Sequence, residues 1–276
     1  MVFSWGAAMC RPTHFEVVYK INEFMGGIVD QTLAMKQWET LKATLEDSAN
    51  INVKVIEQTK GLPDMVFCCN AGLVFGKNVR LSHFRYPERR GERTEYRKWY
   101  QSQGFTVHGD ESTFFEGGGD AWFGGNDRLW AGYGFRSELN AYTGIEKVFS
   151  DPNNNTFRVI PLQLVNAKFY HMDVTLLPLD ETSALYYPEA FSPESLETLR
   201  QEYPTLIAVT TEEALKFVCN GISIPHTRTV ILPAGCPQAS KDLEIRGWTV
   251  KKVDMSEFIK AGGACQCLVM KLFNNE

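Results

Sequence analysis

The sequence predicts an α/β fold in which five similar units surround a central pocket. A pattern of strand, tight turn and strand recurs along the 276 residues, and helical patterns separate its copies. A near-constant period of about fifty residues, as seen here, is typical of repeat architectures. Five units closed in a ring would direct the polar residues that open their first strands toward one axis. Those residues are separated by 50, 53, 47 and 47 positions: Asn70, Asp120, Asp173, Asn220 and Cys267.

The strand pairs are recognised as short apolar runs on either side of turn residues. The clearest pair has its turn at residues 76–78, and further turns are expected at 124–127 and 180–182. The pairs themselves are expected at residues 70–84, 119–135, 171–188 and 219–233. The last apolar run, 267–273, is expected to pair with the amino-terminal run 14–21.

Helical patterns lie between the strand pairs. The first pattern opens with Asp30, a favourable N-cap residue, and its apolar residues recur at helical spacing: Leu33, Trp38, Leu41 and Leu45. Helices alternating with strand pairs favour mixed sheets with the helices outside. We expect the whole chain, residues 1–276, to form a single catalytic domain. The helices are expected at residues 30–48, 91–104, 136–149, 192–203 and 211–218.

The composition argues against several classes of function. The formal net charge is −5 and the pI about 5.7, whereas domains that neutralise nucleic-acid phosphates are usually basic. No apolar stretch approaches the ~18–20 residues of a membrane span, and the first residues lack the basic region of a signal peptide. Seven cysteines are an odd number for a disulfide framework, and their spacings match no zinc site. We therefore expect a cytoplasmic protein with reduced thiols, no metal, and a small-molecule substrate rather than a nucleic-acid or membrane partner.

Six segments carry a resemblance to a known family. In order along the chain they are "CRPTHFEVVYKINEFM", "LPDMVFCCNAGLVFG", "FEGGGDA", "WAGYGFRSE", "FYHMDVTLLPL" and "KAGGACQCLVMKL". They resemble the guanidine-modifying (amidinotransferase) superfamily, and most closely its arginine dihydrolases. The resemblance implies a five-bladed α/β-propeller (pentein) fold that acts on L-arginine or a related guanidine without a cofactor. A homo-oligomer is compatible with it.

The candidate nucleophile is a cysteine near the carboxyl end. Cys265 and Cys267 follow a glycine pair, and because residues two apart share a strand face, periodicity does not choose between them. The resemblance assigns the role to Cys267 and leaves Cys265 as a neighbour that could form a disulfide with it on oxidation. A thiol attacks as its thiolate, so it needs a base or a cation nearby. His171 is the expected partner, with Asp173 one residue away on the same face.

Carboxylates and arginines complete the predicted site. A guanidinium presents five N–H donors in a fixed fork, which favours carboxylates at matching positions. By resemblance, Glu116 orients the histidine and contacts the guanidinium, Asp173 is a second carboxylate, and Asp120 belongs to the same glycine-rich motif as Glu116. Arg136 matches the position that binds the substrate α-carboxylate. Arg89 matches an arginine in a mobile loop over the site, although the adjacent Arg90 could replace it.

Two asparagines distinguish the subgroups. Deiminases carry an aspartate where this chain has Asn70, and the resemblance of Asn70 and Asn22 is to the dihydrolases. A neutral amide would weaken the hold on a guanidinium and could retain a neutral, citrulline-like intermediate for a second hydrolysis. The expected reaction is therefore arginine to ornithine, carbon dioxide and ammonia, through an S-alkyl thiouronium intermediate.

Other functions stay open at this stage. Within the superfamily the alternatives are an arginine deiminase that stops at citrulline, a dimethylarginine dimethylaminohydrolase, and an amidinotransferase. Outside enzymology, the chain could be a non-catalytic pentein that serves as a binding module. A papain-like protease is disfavoured because its cysteine normally precedes its histidine in the sequence.

Overall fold

Strands of the described residues form one six-stranded and three three-stranded sheets. The structure, a computed structural model, describes residues 5–109, 111–124, 128–149 and 157–273. In chain order the strands are β1 (Trp5–Cys10), β2 (Val53–Ile56), β3 (Gly72–Phe75), β4 (Asn78–Leu81), β5 (Thr106–His108), β6 (Ala121–Gly124), β7 (Arg128–Tyr133), β8 (Arg158–Gln163), β9 (Leu176–Pro178), β10 (Ser183–Tyr186), β11 (Thr205–Ala208), β12 (Ile222–Ile224), β13 (Thr229–Pro233), β14 (Thr249–Val253) and β15 (Met270–Phe273).

The same three-strand arrangement occurs five times. In each set an antiparallel pair is followed by a parallel pair, as in β3–β4–β5, where Leu73 faces Arg80 and Val79 faces Val107. The other sets are β15–β1–β2, β6–β7–β8, β9–β10–β11 and β12–β13–β14. The six-stranded sheet consists of two sets joined where β15 and β3 run parallel at Phe273 and Phe75. The predicted repeat of strand pairs is therefore present, with a third strand added to each.

Helices connect the second and third strands of every set, as a parallel pair requires a crossover. The bounds are α1 (Gln31–Ala49), α2 (Pro87–Arg90), α3 (Glu92–Ser102), α4 (Ile145–Phe149), α5 (Pro193–Glu202), α6 (Thr211–Ala214), α7 (Pro237–Ile245) and α8 (Ser256–Ile259). The N-cap prediction for α1 is confirmed, since Asp30 Oδ1 accepts a hydrogen bond from Leu33 N at 3.0 Å. Trp38, Leu41 and Leu45 on α1 are buried, as their spacing predicted.

Three predictions of secondary structure were wrong, and one helix was missed. The helix expected at 211–218 ends at Ala214. Residues 14–21 form no strand, and β15 instead pairs with β1, where Trp5 faces Phe273. The apolar residues of that segment serve loop packing, because the ring of Phe15 stacks on Phe258 with centroids 4.9 Å apart. The helix expected at 136–149 is reduced to α4 and a 3₁₀ turn at Leu139–Tyr142. Helix α7 was not predicted, because it has few apolar residues at helical spacing.

The polar residues at the strand entrances lie in tight turns rather than in the strands. Turns of 3₁₀ type precede four of the five first strands: Cys68–Ala71, Gly117–Gly119, Met172–Val174 and Gln266–Leu268. The predicted turn at 124–127 falls largely outside the described residues, whereas the turns at 76–78 and 180–182 connect strands as expected. No helix in the described part of the chain has the length and apolar character needed to cross a membrane.

Candidate active site

A small polar cavity gathers most of the predicted site. Six of the nine predicted residues line it, although they come from distant parts of the sequence: Asn22, Asn70, Arg89, Arg136, His171 and Cys267. The other three, Glu116, Asp120 and Asp173, lie directly behind these residues and are almost completely buried. The tertiary structure therefore brings the predicted residues to one place.

Cys267 lies at the centre of a hydrogen-bonded cluster. Its Sγ is 3.2 Å from Asp173 Oδ2 and 3.1 Å from Asn220 Nδ2, and Cys69 Sγ is within 4.8 Å of it. Burial opposes ionisation of this thiol, but the hydrogen bonds from Cys69 and Asp173 outweigh burial and lower the pKa of Cys267 to about 7. A substantial fraction of Cys267 is therefore thiolate at neutral pH, the form that attacks an electrophile.

The pKa of Asp173 shifts in the opposite direction to that of Cys267. Burial raises the pKa of the Asp173 carboxyl well above its ordinary range, and the neighbouring Cys267 thiolate adds to this effect. Both effects favour the protonated form of Asp173 when Cys267 is ionised, and the two groups are 3.2 Å apart. Because such tightly coupled groups titrate together, the cluster gains and loses protons as a unit.

The choice between the two cysteines follows from position. Cys265 does not line the polar cavity, and burial raises the pKa of its thiol. All seven cysteines are free, and the sulfur that approaches Cys267 belongs to Cys69 rather than to its sequence neighbour. Geometry thus agrees with the choice of Cys267 and replaces Cys265 by Cys69 as the thiol beside it.

His171 is held by a buried carboxylate. Its Nε2 lies 2.8 Å from Glu116 Oε2, and the same oxygen accepts from Arg136 Nη1 at 3.0 Å. Burial would raise the pKa of Glu116, but the Arg136 guanidinium and then His171 hold it well below its usual range. Glu116 is therefore ionised at neutral pH and lies in contact with the imidazole, and its role in orienting the histidine stays a prediction.

Both predicted arginines line the cavity, but neither lies in an open loop. Arg136 also donates to the carbonyl of Ile21 at 3.1 Å, and its guanidinium lies over the ring of Tyr170 at 4.3 Å. Arg89 is buried in α2 and bonds Glu92 through two contacts of 2.8 Å. Arg90 instead bonds backbone carbonyls outside the cavity. Of the two adjacent arginines, the structure directs Arg89 to the site.

The two asparagines are oriented by their neighbours. Asn70 Oδ1 accepts from Arg89 Nη1 at 3.0 Å, and because a guanidinium can only donate, the amide nitrogen must face the other way. Asn22 is occupied locally, since its Oδ1 accepts from Phe24 N and its Nδ2 donates to the carbonyl of Ala261. Asp120 Oδ1 accepts from Met172 N at 3.1 Å, so this carboxylate fixes the backbone next to the histidine.

Two glycines permit the close approach of these groups. A side chain at Gly119 would collide with Asn70 Nδ2 and approach the His171 ring to 3.2 Å. Gly262 has φ +89°, a conformation that L residues rarely adopt, and its carbonyl accepts from the Tyr170 hydroxyl at 2.5 Å. The glycine-rich motifs seen in the sequence are therefore required by the packing of the site.

Sequence reasoning underestimated two residues. Asn220 was predicted only as the polar residue that opens the fourth strand pair, yet its Nδ2 donates to the Cys267 sulfur and its Oδ1 accepts from Ala264 N and Cys267 N. Cys69 was not among the predicted site residues. The fifty-residue period was a signal for Asn220, whereas nothing in the sequence placed Cys69 beside the nucleophile. Cys69, Asp173 and Cys267 together offer three ligand atoms within 4.8 Å that could hold a thiophilic metal ion.

A second, larger cavity adjoins the thiol cluster. It measures about 1270 Å³ including its open mouth, and the first strand of each of the five sets contributes to its wall. One contribution from each is Leu73, Phe123, Leu177, Ser223 and Lys271. Cys69 and Asp173 line this cavity while Cys267 lines the polar one, so the thiol cluster separates the two.

Comparison with known proteins gives a consistent result. Residues 12–274 match the family model described as N,N dimethylarginine dimethylhydrolase, eukaryotic. An uncharacterized protein of Caenorhabditis elegans, ZK1307.1, is 47% identical over 266 residues, which cover 96% of this chain and 92% of that protein. The bifunctional arginine dihydrolase/ornithine cyclodeaminase ArgZ of Synechocystis sp. is 37% identical over 271 residues. That match covers 96% of this chain but only 37% of ArgZ, so this chain spans little more than a third of that relative's length.

Solved structures of the N-terminal domain of ArgZ share the fold. One is a cysteine-to-serine mutant bound to substrate, with a TM-score of 0.90 at 36% identity over 98% of this chain and 99% of that one. An asparagine-to-serine mutant covalently bound to a reaction intermediate also gives a TM-score of 0.90, at 36% identity over 98% of each chain. The predicted relationship is thereby confirmed. The chain belongs to the dimethylarginine dimethylaminohydrolase family of guanidine-modifying enzymes.

Proposed function

We propose that this protein is a cysteine-dependent hydrolase of the guanidino group of L-arginine, and that it works as an arginine dihydrolase. One observation carries the proposal. A thiol whose pKa lies at about 7 shares a buried polar cavity with an imidazole that a carboxylate orients. This is the combination of activated nucleophile and positioned acid–base group that covalent catalysis requires.

The first step is attack by Cys267. Its thiolate adds to the central carbon of the guanidinium and gives a tetrahedral adduct. The incoming cation favours ionisation of Asp173, whose proton passes to solvent as the substrate binds, because a positive charge beside a carboxyl lowers its pKa. Asp173 then stabilises the substrate nitrogens, and Asn220 Nδ2 keeps the sulfur in place at 3.1 Å. A carboxylate that is already in position before the transition state forms is expected to make the main electrostatic contribution to catalysis at such a site.

His171 moves the protons. It protonates the departing ammonia, which leaves an S-alkyl thiouronium on Cys267, and it then takes a proton from the water that resolves this intermediate. Glu116, 2.8 Å from the imidazole, stabilises the protonated ring. The first pass yields citrulline, and a second hydrolysis of the citrulline carbon releases the remaining ammonia and carbon dioxide and leaves ornithine. Two waters are consumed in total.

The orientation of Asn70 favours the second hydrolysis. Arg89 accepts no hydrogen bond, so the Asn70 amide nitrogen faces away from it and donates to the Glu116 carbonyl at 3.4 Å. An amide has a second N–H, which Asn70 can offer to a ligand in the cavity that it lines. An N–H donor suits the carbonyl oxygen of a neutral ureido group better than the N–H groups of a guanidinium. Asn70 would therefore retain a citrulline-like intermediate, whereas a carboxylate at this position would prefer the cation.

The remaining predicted residues hold the substrate or its surroundings. Arg136 is the candidate for the α-carboxylate, because two N–H donors bond Glu116 and Ile21 and others stay available. Arg89 acts through Asn70 rather than on the substrate. Asn22 shapes the cavity wall near Ala261, and Asp120 fixes the backbone after His171.

The relatives support the assignment as an arginine dihydrolase, and the family model adds a second candidate substrate. ArgZ is named an arginine dihydrolase, and its N-terminal domain was obtained with substrate and with a covalent intermediate. That protein is much longer than this chain, and its second activity is outside the proposal. The family model carries the name of a dimethylarginine hydrolase, which makes methylated arginine the second candidate substrate.

We extend the proposal to the finer points of architecture. The five three-strand sets form a five-bladed propeller within one catalytic domain, residues 1–276, because the first strand of every set borders one cavity. Free buried cysteines agree with a reducing compartment such as the cytoplasm. A homo-oligomer stays compatible with these features, and light scattering of the purified protein would determine it.

The test is an analysis of products. Purified protein is incubated with L-arginine or, separately, with asymmetric dimethylarginine, and ornithine, citrulline, ammonia and dimethylamine are measured. The proposal expects ornithine and two equivalents of ammonia from arginine, and no turnover by the folded variant Cys267→Ser. Free citrulline as the sole product would identify a deiminase, and release of dimethylamine a dimethylarginine hydrolase. If neither substrate gave a product, the protein would be assigned to the class of non-catalytic binding modules.

A further inference from the structure

The larger cavity has features that the proposed reaction does not use. It is separated from the polar cavity by the thiol cluster, and of the nine predicted site residues only Asp173 lines it. Its wall is mainly aromatic and aliphatic, with Trp5, Trp122, Phe123 and Leu177 among its members. The cavity is open to solvent at its mouth, so a small molecule can enter it.

Lys271 brings a positive charge into this apolar wall. It lies on β15, and its Nζ is 5.2 Å from the centroid of the Trp5 ring. Its ammonium has neither an ion pair nor a hydrogen bond with any residue of the described part of the chain. Burial lowers the pKa of Lys271 to about 8, so most of the population stays charged at neutral pH. An unpaired charge in an apolar environment is costly, and a partner of opposite sign removes that cost.

The other charged groups of this cavity are already engaged or lie at its mouth. Asp180 Oδ1 accepts hydrogen bonds from the Thr182 hydroxyl and from the Ser183 hydroxyl, and Glu181 is exposed to solvent. Arg128 pairs with Glu202 at 3.4 Å. Burial raises the pKa of Asp173, at the floor, and its Oδ2 is 3.2 Å from the Cys267 sulfur. The charge that lacks a partner is therefore the ammonium of Lys271.

We infer that the larger cavity is a second ligand site, for a small monocarboxylate with an aromatic or branched aliphatic body. The carboxylate binds the Lys271 ammonium, and the body packs on the rings of Trp5 and Trp122. Charge complementarity selects an anion, and the apolar wall selects its hydrophobic part. The inference is independent of the proposed function, because it concerns binding on the far side of the thiol cluster and is tested without turnover.

The test compares two probes that differ only in charge. 4-Phenylbutyrate and its neutral amide, 4-phenylbutyramide, are titrated into the whole protein by calorimetry at pH 7. Lys271→Met removes the charge and keeps the chain length, Lys271→Arg keeps the charge, and Lys252→Met repeats the methionine substitution on the exposed part of β14. Thermal melting verifies that each variant is folded.

We expect the wild-type protein and Lys252→Met to bind the carboxylate at least ~10-fold more tightly than the amide. Lys271→Met should lose that preference, with its affinity for the amide unchanged, and Lys271→Arg should retain it. The inference is overturned if the wild type binds neither probe saturably, or if Lys271→Met keeps the preference for the carboxylate. It is also overturned if excess L-ornithine displaces the probe, because the probe would then occupy the polar cavity.

Discussion

Glu116 Oε2 is 2.8 Å from His171 Nε2, and this contact joins the acid–base group of the site to its buried counter-charge. Replacing Glu116 by Gln removes the charge while preserving the shape of the side chain. We expect kcat to fall by ~10²–10⁴, the usual contribution of a positioned acid–base group. The free energy of unfolding should also fall by ~3 kcal/mol, because Arg136 is left buried without its carboxylate. Steady-state kinetics and thermal melting measure the two effects.

Glu92→Gln is the matched control for Glu116→Gln. Glu92 is equally buried and bonds an arginine, Arg89, through two contacts of 2.8 Å, but it does not contact His171. This variant should be destabilised by a similar amount and keep most of its kcat. If both variants lose the same fraction of kcat, the effect of Glu116 is one of stability and not of acid–base chemistry.

Cys69 should set the pH dependence of the nucleophile. The pKa of Cys267 is about 7, so its alkylation by a haloamidine should rise with pH and reach half its maximum near that value. In Cys69→Ala the thiolate loses a hydrogen-bond donor, and its pKa must rise. We expect the midpoint to move up by about one pH unit, equivalent to ~1.4 kcal/mol. The rate at pH 7 then falls several-fold and recovers at higher pH.

Cys68→Ala is the control that distinguishes the loss of a hydrogen bond to Cys267 from a general loss of rigidity in the turn Cys68–Ala71. The Cys68 thiol is also buried, but its sulfur donates to the carbonyl of Leu268 at 3.0 Å and not to the nucleophile. Its pH profile should therefore match that of the wild type. An unchanged midpoint in Cys69→Ala would show that Cys69 does not support the thiolate.

Asn220→Asp tests the donor that contacts the nucleophile directly. The amide nitrogen 3.1 Å from Cys267 Sγ becomes a carboxylate oxygen, so a stabilising dipole is replaced by a like charge. The pKa of Cys267 should rise, and the rate of alkylation at pH 7 should fall by ~10-fold or more. Asn166→Asp makes the same change at a residue whose Oδ1 bonds Lys168 N, outside the cavity, and should have little effect. Equal rates in the two variants would exclude the assigned part of Asn220.

Asn70→Asp should change the product rather than abolish the reaction. The new carboxylate stays beside Arg89, now at an ion-pair distance, and presents oxygens to the guanidinium instead of an N–H group. Arginine should bind more tightly and the neutral intermediate less tightly, so citrulline should replace ornithine as the main product. Chromatography of the products after a single turnover measures the ratio. Ornithine as the main product of this variant would contradict the explanation given for the second hydrolysis.

The sequence predicted the repeats more accurately than the elements within them. The paired strands of four sets were recognisable because buried first and second strands carry apolar runs, as in β3. In the fifth set, β1 was missed as the partner of β15. The third strands were missed because they lie at sheet edges and are half exposed, as in β14, where Lys251 and Lys252 point to solvent. Residues 14–21 were the opposite case, because a strand was predicted there and none is present. An alternating pattern of apolar residues can also arise from a loop that packs one ring into the core.

The site was predictable wherever chemistry required a particular residue type at a recurring position. Cys267 and Glu116 could be named because the segments around them resemble those of the guanidine-modifying superfamily, and His171 because an imidazole is a suitable acid–base partner for a thiolate. The sequence therefore indicated which residues take part in the site. The sequence did not indicate that Arg89 would form an ion pair with Glu92 and contact Asn70. Hydrogen-bond partners depend on distances between atoms, which the order of residues does not contain.

By itself, then, the order of residues predicted a recurring strand unit, and its resemblance to a known family pointed to one cysteine near the carboxyl end as the nucleophile. Only the tertiary structure decided how that cysteine is activated. Cys69, Asp173 and Asn220 are each at least 47 positions from Cys267 in the chain, yet all approach its sulfur in the fold. The pKa of a buried thiol depends on the donors and charges within a few ångströms. Only folding brings such groups together.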